Sequence, residues 1–276
     1  MSTIEAHPDE APTTFGKDVR TWTSRPGRSL ARVHRRIVHR SSPGTASTLG
    51  LVAGGVVVAV STAAAITIYD DVTGRFGVQR LDAPALRLGK RLRSPWANTA
   101  AGTIARLFGP VGMPLLTLGA GSALALRRRR LEPLGFVTAA GAGSLAMTLL
   151  GKQLIHRNRP PHRDAAPPYE HSPSFPSGHT INAASVMTVL AYLLVLRQRR
   201  RSGEVAVAAG AGALIAAVGA SRVLLGAHWF TDVVMGWTTG LGWATTVITV
   251  HRLHLTATRR TKEAVSENRS ATPPIS

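Results

Sequence analysis

Residues 48–69, TLGLVAGGVVVAVSTAAAITIY, decide the class of fold. The stretch contains no charged residue, and a helix needs about 20 apolar residues to cross the hydrocarbon core of a bilayer. A cleaved signal peptide is disfavoured, because its apolar core would be too long and would begin too far from Met1. The stretch therefore predicts a transmembrane helix.

Further apolar runs follow at 107–126, 133–155, 180–196, 205–225 and 230–250. Glycine and other small residues are frequent in these runs, and small residues allow membrane helices to pack closely. The runs together predict an all-α fold, a polytopic membrane protein with a six-transmembrane-helix bundle.

Positive charge is concentrated between the apolar runs. The chain carries 33 Lys and Arg against 14 Asp and Glu, a formal net charge of +19. Basic segments lie at the N-terminus, at 127–130, at 197–201 and in the tail at 251–260. With six spans, all four segments fall on one side of the membrane, which the positive-inside rule makes the cytoplasm. Topology thus explains the excess of charge, and a nucleic-acid-binding protein is disfavoured.

This orientation predicts a multi-pass protein of the plasma membrane with both termini in the cytoplasm. Residues 1–47 are polar and basic and predict a disordered N-terminal segment. Residues 48–250 form the six-span domain, and 251–276 form a cytoplasmic tail. The chain has no Cys, which excludes disulfides, zinc–thiolate sites and cysteine nucleophiles.

The first outward loop, 70–106, contains Asp82-Ala83-Pro84, which predicts a helix start with Asp as the cap and Pro in the first turn. Leucines and basic residues follow. They fit an interfacial helix that helps to hold an anionic lipid head group, and they fit a solvated surface helix equally well.

The second outward loop, 156–178, is rich in cations that topology does not explain. Lys152 and Arg159 lie at its start, and Ser177-Gly178-His179 leads from it into the next span. A glycine turn that opens a helix directs backbone N–H groups and the positive end of the helix dipole to one point, which suits phosphate. An ordinary helix cap is the plainer interpretation of this tripeptide alone.

The third outward junction contains Ser221-Arg222, then His228 and Asp232. Residues four apart share one face of a helix. A carboxylate that binds one ring nitrogen fixes the histidine tautomer and leaves the other nitrogen free to attack. His228 alone would be read as an interfacial histidine, but with Asp232 and Arg222 beside it we interpret it as functional.

Three motifs occur in order: Lys152, six residues and Arg159-Pro160; Pro176-Ser177-Gly178-His179; and Ser221-Arg222, five residues, His228, three residues and Asp232. In this order and spacing they resemble the signature of the type 2 phosphatidic acid phosphatase superfamily, which also includes the vanadium haloperoxidases. Every specified position is present. The resemblance covers about residues 150–235 directly and 48–250 through the six-span layout.

The resemblance implies a role for each motif residue. His228 would attack phosphorus and become a phosphohistidine, Asp232 would orient it, and His179 would act as acid and then base. The phosphate oxygens would be held by Lys152, Arg159, Ser177, Gly178 and Arg222. Fixed cations and backbone donors can neutralise a transferring phosphoryl group, so we expect no metal and no cofactor.

Several functions remain open under this resemblance. Hydrolysis of a lipid phosphate or diphosphate at the outer face comes first, with phosphatidic acid, phosphatidylglycerol phosphate and undecaprenyl diphosphate as candidates. A phosphotransferase that uses the same phosphoenzyme comes second. A haloperoxidase is disfavoured because these are typically soluble. A catalytically silent membrane protein would be expected to lack His228 or His179, and both are present.

Other polar residues of the second outward loop carry weaker predictions. Because their spacing is uneven, three histidines are interpreted as solvated or as head-group contacts rather than as a metal cluster: His156, His162 and His171. Arg157 and Arg163 are predicted to tune substrate charge, and Asp164 and Glu170 to cap loop turns.

The topology is testable with alkaline phosphatase reporters, which are active only outside the cytoplasm. We expect a fusion after Arg130 to be inactive and a fusion after His162 to be active. A cytoplasmic signal from the His162 fusion would contradict the predicted orientation.

Overall fold

The computed structural model of the chain describes residues 13–14, 17–18 and 43–271, with side chains at 50–255 and 257. Most of the predicted disordered segment 1–47 therefore lies outside the described residues. Within that segment, strands β1 (Thr13–Thr14) and β2 (Lys17–Asp18) pair antiparallel.

Most of the remaining described residues are helical. In order, the helices are α1 (Pro43–Gly74), α2 (Asp82–Arg91), α3 (Pro95–Leu107), α4 (Gly112–Arg128), α5 (Glu132–Leu154), α6 (Gly178–Val195), α7 (Arg201–Leu224) and α8 (Phe230–Ala271). Short 3-10 helices occupy Gly77–Leu81 and His162–Asp164.

Five of these helices are long and apolar enough to cross a membrane: α1 from Gly50, α5, α6, α7 and α8 as far as Leu255. Helices α3 and α4 pass the same test together, but they are bent by 60° relative to each other. The break contains Pro110, which has no backbone N–H to donate. The chain is thus a multi-pass membrane protein whose membrane part is all-helical, and its described residues provide five candidate spans, or six if α3 and α4 form one bent span.

Helix α6 lies at the centre of the bundle. Half of its apolar window is buried, compared with 6% for α1. Its buried residues Ala183, Val186 and Val189 join a cluster with Val137 of α5 and Val218 of α7. The apolar side chains on the outside of α1 are exposed in the isolated chain, as expected for a surface that faces lipid.

Two glycines allow α8 to approach α6 closely. A Cβ atom at Gly236 would lie 2.7 Å from Thr180 Cβ, and one at Gly240 would lie 2.6 Å from the Ile181 carbonyl oxygen. Both distances are shorter than real contacts allow. Close packing of these two helices sets the positions of the residues at their N-terminal ends.

Helix α2 begins at Asp82, as the sequence predicts, but the predicted capping role is wrong. Leu81 is the N-cap and Asp82 is the first residue of the helix. Its buried carboxylate instead accepts hydrogen bonds from the backbone and the hydroxyl of Thr231 at the start of α8. The far side of the α2–α3 region carries exposed Leu88, Leu92 and Trp96.

Packing of α6 against α8 can be tested with one methyl group. We expect Gly240→Ala to destabilise the protein by about 1–3 kcal/mol, because overpacking forces the backbones apart. The measurement is the thermal unfolding midpoint in detergent micelles.

Gly210→Ala is the matched control, since no atom outside its own helix lies within 4 Å of the added Cβ. It should be neutral or slightly stabilising, because Ala favours a helix over Gly by about 1 kcal/mol. Equal losses in the two variants would contradict the close approach.

Candidate active site

His228 and Asp232 lie at the start of α8 and are almost fully buried. Asp232 is in the first helical turn, where its Oδ2 accepts a hydrogen bond of 2.9 Å from the backbone N–H of Trp229, just before the helix. A carboxylate three residues into a helix commonly binds this amide. The same oxygen lies 3.4 Å from Nδ1 of His228, so the local fold of the helix start brings carboxylate and imidazole together.

The other ring nitrogen of His228 faces a cation. Nη1 of Arg159 lies 3.1 Å from His228 Nε2. A guanidinium can only donate, so this contact is a hydrogen bond when Nε2 presents its lone pair and the ring proton is on Nδ1, towards Asp232. This tautomer would leave the lone pair of Nε2 directed at the arginine.

His179, in the first turn of α6, has the opposite arrangement. Its Nε2 lies 3.2 Å from the carbonyl oxygen of Ala105 in α3. A carbonyl only accepts, so Nε2 carries the proton, and Nδ1 faces the interior of the site, 3.6 Å from Oε1 of Glu170. Nδ1 is therefore the atom through which His179 can exchange a proton.

Two arginines bind the carboxylate of Glu170. Arg159 Nη2 lies 2.8 Å from Oε2, and Nη1 of Arg222 lies 3.0 Å from Oε1. Arg222 is fully buried in the last turn of α7, and its Nη2 has no hydrogen-bond partner among the described residues. A buried, unpaired donor on a guanidinium is costly, and an incoming anion with more oxygens would satisfy it.

We call the four groups around the Glu170 carboxylate, those of Arg159, His179, Arg222 and His228, the anion cradle. His228 Nε2 completes it at 3.6 Å from Oε2. Burial alone would raise the pKa of Glu170, but the nearby His228 and His179 and the arginine charge outweigh burial and hold that pKa well below its ordinary value. The cradle is thus built to hold an anion.

The remaining predicted phosphate-binding residues border the cradle. Nζ of Lys152, at the end of α5, donates to Ser172 Oγ at 2.6 Å and to the Pro173 carbonyl at 2.9 Å, so here it holds the loop. Ser177 is fully buried and immediately precedes α6, and Gly178 is the first residue of that helix. The backbone N–H of Ser177 donates to the Asp232 carbonyl oxygen at 3.2 Å, whereas Gly178 and His179 open the helix, where N–H groups have no partner within the helix.

A second layer of charge lies behind Asp232. Arg157 contacts Oδ1 of Asp232 at 2.6 Å and Oδ2 of Asp82 at 2.5 Å, and it also donates to Thr231. The sequence predicted that Arg157 tunes the charge of the substrate, but its guanidinium pairs with these two carboxylates. The link from Asp82 on α2 to the start of α8 was missed, because no local pattern connects residues so far apart in the chain.

Glu170 was also missed as a site residue. Its only sequence signal is that it is an acidic residue within a strongly basic loop. Asp164, the other acidic residue predicted as a loop cap, pairs instead with Lys90 of α2, and this hydrogen bond lowers the pKa of Asp164. His162 stacks on Tyr169 with ring centroids 4.6 Å apart.

One group of side chains in the described part of the chain has the composition and spacing of a metal site. Ligand atoms of Glu170, His179 and His228 lie within 4.8 Å of one another. The same carboxylate is bound by Arg159 and Arg222, however, and two guanidinium charges at this distance oppose a cation. The electrostatics of the cradle favour an anion.

A cavity of about 150 Å³ adjoins the cradle. Its lining includes Arg159, His162, Tyr169, Glu170 and Ala227. The cradle therefore opens into space large enough for a small polar group.

Comparison with known proteins identifies the family of the chain. A family model described as the PAP2 superfamily matches residues 132–255, which include every predicted site residue. Phosphatidylglycerophosphatase B of Bacillus subtilis is 36% identical over 170 residues, which span 59% of this chain and 80% of that protein. The crystal structure of a transmembrane PAP2-type phosphatidylglycerolphosphate phosphatase from Bacillus subtilis superposes with a TM-score of 0.61 at 29% identity, covering 72% of this chain and 95% of that one.

The chain therefore belongs to the PAP2 superfamily of phosphatases. It is a hydrolase of the membrane, a lipid phosphatase.

The second charge layer can be tested with Arg157→Gln. We expect kcat to fall about 10- to 100-fold with little change in KM, as is typical when a partner behind a reacting residue is removed. The physical reason is that Asp232 loses the cation that holds it against His228. The measurement is phosphate release from a lipid phosphate in mixed micelles.

Arg199→Gln is the control, since Arg199 is an exposed arginine in the segment 197–201, outside the loop that carries the predicted site residues. It should leave both constants within about twofold, because surface substitutions have small effects. A rise in KM with kcat unchanged in Arg157→Gln would show that Arg157 contacts substrate and would contradict the positioning role.

Proposed function

We propose that the protein hydrolyses a phosphate monoester or diphosphate of a membrane lipid at the outer face of the membrane, without a metal, through a phosphohistidine on His228. The observation that carries the proposal is the anion cradle, in which the Nε2 lone pair of His228 faces a buried anion position. The superfamily supplies the reaction class, and the cradle supports the residue roles.

In the first step, Nε2 of His228 attacks phosphorus and the bond from phosphorus to the leaving oxygen breaks. Protonated His179 gives its Nδ1 proton to that oxygen, which leaves as the lipid alcohol, or as the lipid monophosphate when the substrate is a diphosphate. Asp232 accepts the hydrogen bond from Nδ1 of His228 and stabilises the positive ring that forms. Each transfer uses a ring nitrogen that faces the cradle.

In the second step, neutral His179 takes a proton through Nδ1 from water, and the water oxygen attacks phosphorus. The bond between nitrogen and phosphorus breaks, inorganic phosphate leaves, and His228 is restored. His179 thus acts as a general acid in the first step and as a general base in the second. The proton that it loses to the leaving group is replaced by the proton that it takes from water.

The charge on the transferring group would be neutralised by residues of the chain. Arg159 and Arg222 take the oxygens that now bind Glu170, with Nη2 of Arg222 as an extra donor. Lys152, Ser177 and the Gly178 amide complete the set from the border of the cradle. Preorganised donors of this kind contribute the largest part of many catalytic rate enhancements.

The orientation of the site follows from charge. The Arg-rich segments 127–130 and 197–201 adjoin the ends of α4 and α7 that lie across the bundle from the cradle. The positive-inside rule therefore supports an extracytoplasmic site with both termini in the cytoplasm, with α3 and α4 counted as one bent span. Residues 48–250 would form the catalytic domain and 251–276 a cytoplasmic tail.

Phosphatidylglycerol phosphate is the first substrate to test, because the relatives from Bacillus subtilis bear that activity in their names. Phosphatidic acid and undecaprenyl diphosphate present the same phosphate chemistry at the same depth and belong in the same experiment.

The experiment measures phosphate release by the purified protein from these three lipids, with and without EDTA, beside His228→Ala. We expect release from at least one lipid, no effect of EDTA, and a loss of at least about 10³-fold in the variant, as for removal of a catalytic nucleophile. After an alkaline quench, which preserves the bond between nitrogen and phosphorus, the unsubstituted protein should carry labelled phosphohistidine and the variant should carry none.

Full activity of His228→Ala, or release that EDTA abolishes, would overturn the mechanism. Activity restricted to soluble phosphate esters would overturn the lipid assignment. The control is Arg199→Gln, which should behave as the unsubstituted protein.

A further inference from the structure

We propose that Glu170 is a specificity-determining residue: its carboxylate occupies the anion cradle as a built-in competitor, so that dianionic phosphate monoesters enter and monoanionic phosphodiesters do not. The inference rests on the proposed function, because it takes the cradle to be the substrate phosphate site. It assigns Glu170 a role in selecting the substrate rather than in the chemistry.

The contacts of Glu170 are those a phosphate needs. Arg159 binds one carboxylate oxygen and Arg222 the other, at 2.8 and 3.0 Å. The facing nitrogens of His179 and His228 each lie 3.6 Å from the carboxylate. Two anions cannot share these four groups, so a substrate phosphate must displace the side chain.

The cavity beside the cradle can accept the displaced Glu170 side chain. Glu170 lines the cavity of about 150 Å³ beside the cradle, together with His162 and Tyr169. Glutamate has three rotatable bonds, and rotation among staggered rotamers can carry its carboxylate several ångströms without a change in the backbone. Exchange therefore requires no unfolding of the loop.

Competition of this kind raises the apparent Kd of every ligand. The apparent Kd equals the intrinsic Kd divided by the fraction of time that the cradle is free. It becomes selective because the ligands differ in charge. A phosphate monoester carries close to two negative charges above its second pKa of about 6, whereas a phosphodiester carries one. Exchange of Glu170 for a diester gains no charge, while exchange for a monoester adds one negative charge beside two guanidinium groups.

The selection matters because of where the site lies. Most head groups in a phospholipid bilayer are phosphodiesters, and they surround the mouth of the site in excess over any lipid monoester. A cradle of bare arginines would bind them. Glu170 keeps the cradle closed to singly charged head groups without blocking the substrate.

The test is Glu170→Gln, which keeps the shape of the side chain and removes its charge. Binding is measured by calorimetry at pH 8 with two probes, inorganic phosphate as the dianion and dimethyl phosphate as the monoanionic diester. We expect the variant to bind both probes more tightly, and the preference for phosphate over dimethyl phosphate to fall about tenfold, the equivalent of 1.4 kcal/mol.

Activity in mixed micelles gives a second readout. With phosphatidic acid as substrate, KM should fall in Glu170→Gln while kcat changes less than KM does. Added phosphatidylglycerol, a diester lipid, should inhibit the variant at concentrations that leave the unsubstituted protein active.

Asp164→Asn is the matched control, because Asp164 belongs to the same loop but pairs with Lys90 outside the cradle. It should leave both the probe preference and the lipid inhibition unchanged. An altered preference in this control would assign the effect to the loop as a whole and overturn the role of Glu170.

Two other results would overturn the inference. Unchanged or weaker probe binding by Glu170→Gln, or tighter binding with an unchanged preference, would show that Glu170 does not select between anions. A large loss of kcat at constant KM would place it in the chemistry. Failure of the proposed function would appear separately, as retained activity in His228→Ala, and the calorimetry needs no turnover.

Discussion

Burial of the Arg222 guanidinium is the constraint on which the site depends. The side chain has no exposed surface and lies at the end of a membrane helix. A charge taken out of water must be paired, or the penalty is several kcal/mol. Glu170 supplies one partner, yet one nitrogen stays unsatisfied among the described residues. The fold thus holds a cation whose solvation is incomplete until an anion with more oxygens than a carboxylate arrives.

A second set of charges makes that arrangement rigid. Arg157 lies between Asp82 and Asp232, and Asp82 also binds the first turn of α8 through Thr231. Negative groups at a helix N-terminus are favoured by the helix dipole, so the two carboxylates are stable where they stand. The consequence is that Asp232 faces His228 on one side and is held by Arg157 and α2 on the other.

The sequence predicted five of the six apolar spans as single long helices, because the length and polarity of an apolar run are constrained by the bilayer itself. The run at 133–155 corresponds to α5 at Glu132–Leu154, and that at 180–196 to α6 at Gly178–Val195. The bend between α3 and α4 was missed, since hydropathy does not register a change of direction. The motif residues could be chosen from their spacing, whereas Glu170 could not, because its partners come from four separate segments of the chain.

The bend also connects the position of His179 to the surrounding bilayer. The carbonyl of Ala105, which lies 3.2 Å from Nε2 of His179, belongs to α3, the first helix of the bent pair. Membrane helices respond to the thickness of the surrounding hydrocarbon by changing tilt. A change in the tilt of α3 would move that carbonyl relative to the imidazole, so the contact that holds His179 would be sensitive to bilayer thickness.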